Sequence, residues 1–375
     1  MKISGINIPA GVTITAPAPA PAPEPTPSGP SKLAVGTRDI NNDVGAAYIY
    51  NLDGTGEVKI TASDGAANDQ FGHSVAMSDT KIVVAAHHKN SGRGSAYIYN
   101  LDGTGEQKIT ASDSAHNDIF GQSVAMSDTH IVVGAYYAAK AYVYNTDGTG
   151  EVKITASDAA GGDYFGQSVA MSDTHIAVGA PGNDDAGSSS GSAYIYNLDG
   201  TGEVKITASD AAASDNFGKS VAINGTKVVV GSIYDDDSGS ASGSVYVYNL
   251  DGTGEVKITA SDGAANDQFG QSIAISDTKI VVGAQGDNVH TGAVYVYNMD
   301  GTGEVKITAS DGAEWGVFGI QIAIQGDKII VGAPDVSGES SGSAYMYNLD
   351  GTGEQKIVAS DVAGGDNFGY SVAIN

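Results

Sequence analysis

The sequence predicts an all-β fold, a seven-bladed β-propeller of four-stranded antiparallel blades, on three observations. First, Tyr48-Ile49-Tyr50-Asn51-Leu52-Asp53-Gly54-Thr55-Gly56-Glu57 returns in variant form at Tyr97, Tyr142, Tyr194, Tyr246, Tyr295 and Tyr345. Second, a Phe-Gly pair followed by an apolar run occurs at Phe71, Phe120, Phe165, Phe217, Phe269, Phe318 and Phe368, with spacings of 49, 45, 52, 52, 49 and 50 residues. Self-similarity at that period marks a propeller or a solenoid. Third, the two ends of the chain carry complementary parts of one repeat.

Residues 71–119 show the unit. Ser74-Val75-Ala76-Met77 reads as a first strand, Lys81-Ile82-Val83-Val84-Ala85 as a second, Ala96-Tyr97-Ile98-Tyr99 as a third and Glu106-Gln107-Lys108-Ile109-Thr110 as a fourth. The connectors Ser78-Asp79-Thr80 and Asp102-Gly103-Thr104-Gly105 are expected to supply left-handed hairpin positions. Tyr97 and Tyr99 face one way, Ala96 and Ile98 the other. Blades stacked face to face bury both sides, so both can be apolar.

The ends close the ring. Phe368–Asn375 is a first strand with no second, and Ser31-Lys32-Leu33-Ala34-Val35-Gly36 is a second with no first. Joining Asn375 to Ser31 recreates the internal junction Asn224-Gly225-Thr226-Lys227. The C-terminal first strand therefore joins N-terminal strands two to four, which removes two exposed sheet edges.

Three segments result: an anchor peptide over 1–16, a proline-rich linker over 17–30 and the propeller over 31–375. The linker holds seven of the ten prolines and reads as an extended spacer, about 40 Å long at roughly 3.1 Å per residue. The anchor has apolar residues at Ile3, Ile6, Ile8, Val12 and Ile14. It is expected to dock on another protein by strand addition.

Composition narrows the partners. A net charge of −26 with only two arginines, Arg38 and Arg93, argues against nucleic acid or an anionic membrane. With no cysteine there is no disulfide framework. No stretch has the length and apolarity of a membrane span, and the N-terminus does not read as a signal peptide.

Phe165-Gly166 with Val178-Gly179-Ala180-Pro181, and Phe318-Gly319 with Val331-Gly332-Ala333-Pro334, resemble the FG-GAP repeat of integrin α-subunit propellers and related bacterial and phage proteins. The resemblance covers residues 31–375 and implies the propeller fold. It does not extend to calcium, because the connection between the first two strands is only Ser78-Asp79-Thr80, too short and too poor in oxygen ligands. The layout of short N-terminal peptide, spacer and globular head resembles that of phage fibre and decoration proteins.

Residues that carry chemistry are weighed against structural roles. The repeated Asp-Gly-Thr-Gly-Glu reads as a turn, since no EF-hand glutamate follows at the required spacing. The lysine of each fourth strand (Lys59, Lys108, Lys153) reads as a partner for a neighbouring blade's acids or as edge protection. The histidines show no repeated ligand spacing and read as surface residues. No nucleophile elbow or phosphate loop occurs. No catalytic residue, metal site or cofactor is expected.

Function is expected where the repeats stop agreeing, on the loops between second and third strands and the connections that lead into the first. The candidates are His87, His88, Arg93, Tyr136, Tyr137, Asp184, Asp185, Tyr234, Asp235, Asp236, Asp237, His290 and Trp315, the only tryptophan. Loops on a rigid scaffold collect binding residues, and exposed aromatics suit sugar or protein contacts. The expectation is a non-enzymatic attachment module on a virion. Residues 1–16 would dock on a capsid, tail or fibre protein, and the loop face would meet a host-surface glycan or protein. Alternatives are an exported bacterial surface adhesin, a purely structural virion protein, or a carbohydrate-active enzyme with paired carboxylates in the central channel.

Overall fold

A computed structural model describes residues 31–375. The expected anchor and linker, including Ile3, Ile6, Ile8, Val12 and Ile14, lie outside the described residues. The described chain forms seven four-stranded sheets. Blade 1 orders Ser371–Ile374, Lys32–Thr37, Ala46–Asn51 and Val58–Ile60, all antiparallel. The strand from the far end of the chain closes the ring, with Leu33 opposite Ile374 and Gly36 opposite Ser371. The side chain of Asn375 reinforces the seam by accepting from the Lys32 N–H at 2.6 Å and donating to the Ser78 carbonyl at 2.8 Å.

Blades 2 to 7 follow in sequence, each running from an inner to an outer strand. Blade 2 comprises Phe71–Met77, Lys81–Ala86, Ser95–Asn100 and Gln107–Ile109. Blade 5 comprises Phe217–Ile223, Lys227–Ser232, Ser244–Asn249 and Val256–Ile258. The inner strand of blade 2 starts at Phe71, three residues before the Ser74 that the sequence pattern suggests. The intervening Phe-Gly segment is a register irregularity between Phe71 and Val75.

The apolar core lies between blades rather than within them. Between blades 1 and 2, Ala34, Ala47 and Ile49 meet Val84, Tyr97 and Tyr99. The tyrosine face of each blade thus packs on the small aliphatic face of its predecessor. Phe71 is fully buried and meets Tyr97 edge-on at 5.5 Å; Phe368 meets Tyr48 in the same way at 5.6 Å. Burying each phenylalanine contributes roughly 1.5–3 kcal/mol. The two glycines of the signature also meet across this interface. A Cβ on Gly179 would lie 1.9 Å from the Gly218 carbonyl oxygen of the next blade, so the approach admits no side chain.

A polar clasp joins each blade to the segment leading into it. Asp64 accepts from the Tyr97 hydroxyl at 2.6 Å and from the Lys108 ammonium at 2.7 Å. Its neighbour Ser63 donates its N–H and hydroxyl to Glu106 at 2.9 and 2.6 Å, and Tyr99 donates to the same carboxylate at 2.9 Å. The repeated Tyr-x-Tyr, Glu and Lys therefore form one inter-blade network of charge-assisted bonds. This supports the reading of the lysines as partners for acids at a blade boundary.

The turns need one correction. Gly54 and Gly56 are left-handed, at φ 72° and 71°, as expected of Asp-Gly-Thr-Gly. Ser78-Asp79-Thr80 contains no positive φ. Its turn is closed by the Ser78 N–H donating to the Lys81 carbonyl at 2.9 Å, and the Ser78 hydroxyl accepts from the Thr80 and Lys81 N–H groups. The serine hydroxyl supplies the acceptor that makes the tight turn possible without a left-handed residue.

Candidate functional site

The loops between second and third strands share one face with the connections into the first strands. Phe71 pairs with Ala86 at the end of the second strand, and a parallel bridge joins it to Gly45 of the preceding blade's loop. On this face the structure separates the sequence-selected residues into three groups.

The first group is aromatic and exposed. Tyr136 and Tyr137 stack at 4.2 Å, and Tyr164 from the next connection completes a trio at 5.7 and 5.9 Å from them. Tyr137 is 59% exposed and Tyr164 38%. Between blades 6 and 7, His290 stacks on Trp315 at 4.5 Å with the rings 20° apart. Trp315 is 44% exposed, and Val289 and Val336 extend the apolar surface at 63% and 49%. The two platforms are three blades apart and so lie nearly opposite one another across the ring. Tyr234 is exposed between them on blade 5.

The backbone under these rings is unusual. The positions one and three residues before each signature Phe are left-handed in every blade. Sibling blades place Asn68, Asn117, Gly162, Ser214, Asn266 or Gly365 where Trp315 stands, at φ 67°. Asparagine and glycine tolerate that region, whereas a bulky side chain is strained there. The sequence pattern does not single out Tyr164, Val289 or Val336, because none interrupts a repeated motif.

The second group is structural. Asp235 is buried, accepting from Ser244 and Tyr246 at 2.9 Å each. With Asp210 and Asp237 it forms a carboxylate cluster whose oxygens lie within 4.8 Å of one another. The Lys257 ammonium stands among them at 2.9, 2.7 and 2.5 Å. A lysine therefore already fills the place a cation would take. Asp185 pairs with Lys205, while Asp184 and Asp236 are exposed. Arg93 is exposed and reaches the Ser114 carbonyl at 3.4 Å. Asp235 thus holds blade 5 together and is not free for a ligand.

The third group corrects the reading of the histidines as surface residues. His73 and His87 are buried, 8% and 5% exposed, with ring centroids 3.7 Å apart. Each has an Nδ1 without a hydrogen-bond partner. His88 is exposed and packs on His87 at 4.1 Å. Burial pushes His73 down to about 3, with the Arg38 guanidinium and His88 adding to the effect. Burial, with His73 second, lowers His87 further still. Arg38 itself stacks 3.9 Å above the Tyr370 ring. The spacing of histidines along the chain carries no sign of this cluster, which forms where a first strand meets the loop of its own blade.

That cluster borders the central channel, a cavity of about 410 Å³ lined by the inner strands of all seven blades. The residue after each Phe-Gly rings its mouth: His73, Gln122, Gln167, Lys219, Gln271, Ile320 and Tyr370. Among the described residues, no aspartate or glutamate lines it. The carboxylate pair that a glycosidase would place in this channel is not among its lining residues.

Among the described residues, no helix is long and apolar enough to cross a membrane. No curated protein matches the chain. The FG-GAP repeat profile matches residues 55–99, 104–152, 148–196, 201–248, 253–297, 302–347 and 352–375. The matched segments run through all seven blades and span most of the chain: the protein belongs to the FG-GAP repeat family.

Proposed function

We propose that this propeller is a non-enzymatic recognition module whose loop face binds a host-surface glycan or protein. The observation that carries the reading is the pair of exposed aromatic platforms, Tyr136–Tyr137–Tyr164 and His290–Trp315, on a scaffold whose other repeated side chains are engaged in holding blades together. Stacked rings with open faces suit the apolar faces of sugars and the side chains of a protein partner, because they present large contact area at little entropic cost. Trp315 occupies a left-handed position that siblings give to Asn, Gly or Ser, and local strain of this kind gathers at binding sites.

The setting we propose is a virion, with residues 1–16 docked on a capsid, tail or fibre protein and the proline-rich linker holding the propeller away from it. The alternative setting is a bacterial cell surface. The loop-face reading is tested by probing glycan and host-protein arrays with the full chain, then repeating with Tyr137→Ala and Trp315→Asn combined. Loss of the array signal is expected, and an unchanged signal moves the site off this face. The setting is tested by cross-linking through Lys2 in the native assembly: links to virion proteins are expected, and links to envelope components overturn that part.

A further inference from the structure

The mouth of the central channel is chemically unlike the rest of the molecule. The chain carries 44 acidic residues against 18 lysines and arginines, yet among the described residues no carboxylate lines the cavity. Seven copies of Phe-Gly-x would give seven equivalent side chains if x were fixed, but x varies. Three copies place glutamine there, at Gln122, Gln167 and Gln271, and blade 5 places Lys219.

The serines one position further on are largely occupied. Ser220, Ser272 and Ser371 donate to the signature glycine carbonyls of the next blades at 2.6, 2.7 and 2.8 Å. The variable ring is not occupied in that way. Among the described residues, no carboxylate pairs with Lys219, and neither its ammonium nor the three glutamine amides makes a side-chain hydrogen bond within the protein. By contrast, Lys108, Lys205, Lys257 and Lys306 are all paired with aspartates. Lys219 is half-buried, and burial lowers its affinity for a proton.

An unpaired ammonium in a confined space, with amide donors around it and no carboxylate to oppose an anion, is the arrangement that charge-assisted binding of an oxyanion requires. Glutamine amides present two N–H donors each and can turn them inward. A cation in that position would instead meet an ammonium, which excludes a metal site.

We infer that the channel mouth is an oxyanion site, with Lys219 supplying the charge and Gln122, Gln167 and Gln271 the neutral donors. The ligand class is a carboxylate or sulfate, either free or carried on an acidic saccharide. The site is distinct from the aromatic platforms, and its chemistry does not depend on them.

The test is NMR of the full chain with ¹³Cε-labelled lysine, titrated at constant ionic strength with sodium sulfate, sodium glucuronate or neutral glucose. The Lys219 resonance is identified by its absence in Lys219→Gln. That variant restores the residue three sibling blades carry, so it preserves the fold. Saturable movement of this one resonance with sulfate or glucuronate, and none with glucose, is expected. Comparable saturation with both anions identifies a general oxyanion site, and much tighter glucuronate identifies an acidic saccharide as the source. By calorimetry, Lys219→Gln should weaken binding of the better anion by roughly tenfold or more. Lys227→His, at the far end of the same blade, where siblings carry His130 and His175, should leave it unchanged. Uniform, unsaturable shifts across all lysines, or undiminished binding in Lys219→Gln, overturn the inference. Neither result bears on the aromatic face, whose failure would appear only in the array experiment.

Discussion

Glu57 accepts hydrogen bonds from the N–H and hydroxyl of Ser360, at 3.0 and 2.6 Å, across 303 residues of chain. The same bond occurs at every blade boundary, as between Glu106 and Ser63 or Glu354 and Ser310. At the seam it joins the beginning of the propeller to its end. Ring closure therefore uses the clasp that every other boundary uses, with one added strand pairing.

Removing residues 371–375 should open that seam. Blade 1 would lose its inner strand, leaving Lys32–Thr37 as an unpaired edge beside the channel. The truncated chain is expected to melt at lower temperature and to self-associate. Calorimetry with light scattering checks this; a monomer of unchanged stability would show that closure contributes nothing.

The tyrosine hydroxyls differ in how much rests on them. Tyr246 donates toward both Asp210 and Asp235, at 2.9 Å each, inside the Lys257 cluster. Tyr142 serves only Asp113, at 2.6 Å. Tyr246→Phe should cost roughly 1–3 kcal/mol, because it leaves a buried carboxylate short of a donor. Tyr142→Phe should cost less. Denaturant midpoints of the two variants decide the order.

Acid should destabilise the fold in two stages. His73 and His87 are held neutral by burial, with folded values below the ordinary 6.5. The unfolded chain binds more protons there, so stability is full above about pH 6.5 and declines as pH falls below it. The clasp aspartates act lower. Burial pushes Asp64 up, but Lys108 and Tyr97 outweigh it and bring it down to about 2. Its contribution is full above the ordinary 3.8 and is lost as pH falls toward 2. His73→Gln, which matches three siblings, should shrink the upper stage to the part due to His87 and leave the lower one intact. Melting temperatures between pH 7 and 2 report both, and an unaltered upper stage in His73→Gln would contradict the assignment.

Trp315→Asn should separate binding from stability. It relieves a left-handed backbone under a bulky residue, worth about 1 kcal/mol. It also removes the stack on His290, worth roughly 0.5–1.5 kcal/mol. The two nearly cancel, so the melting temperature should hardly move while loop-face binding falls. A large loss of stability would mean that Trp315 is a scaffold residue.

The repeat made the scaffold legible. Alternation at Ala96-Tyr97-Ile98-Tyr99 gave the third strand and both its faces, and the complementary ends gave the closing blade. Periodicity reports what all copies share, and that is structure. The proposed site lies in what they do not share, where the sequence supplies no sibling for comparison. Asp235-Asp236-Asp237 reads as one acidic loop, but the fold buries the first, exposes the other two and pairs the third with Lys257. His87 and His88 are adjacent in sequence yet lie on opposite sides of the surface. Tyr164 precedes a signature Phe as Gln70 and Asn216 do, and only the fold brings it to Tyr137. Lys219 differs from its siblings by a single residue, which becomes informative once the seven positions are seen to form a ring.

The central claim is that recognition resides on the aromatic loop face of an otherwise structural ring. Its most direct test is surface binding to the best array ligand, comparing the full chain with a variant carrying Tyr136→Ala, Tyr137→Ala, Tyr164→Asn and Trp315→Asn, with circular dichroism confirming the fold. Near-complete loss of binding by a folded variant is the predicted result. Undiminished binding would contradict it and place recognition elsewhere on the molecule.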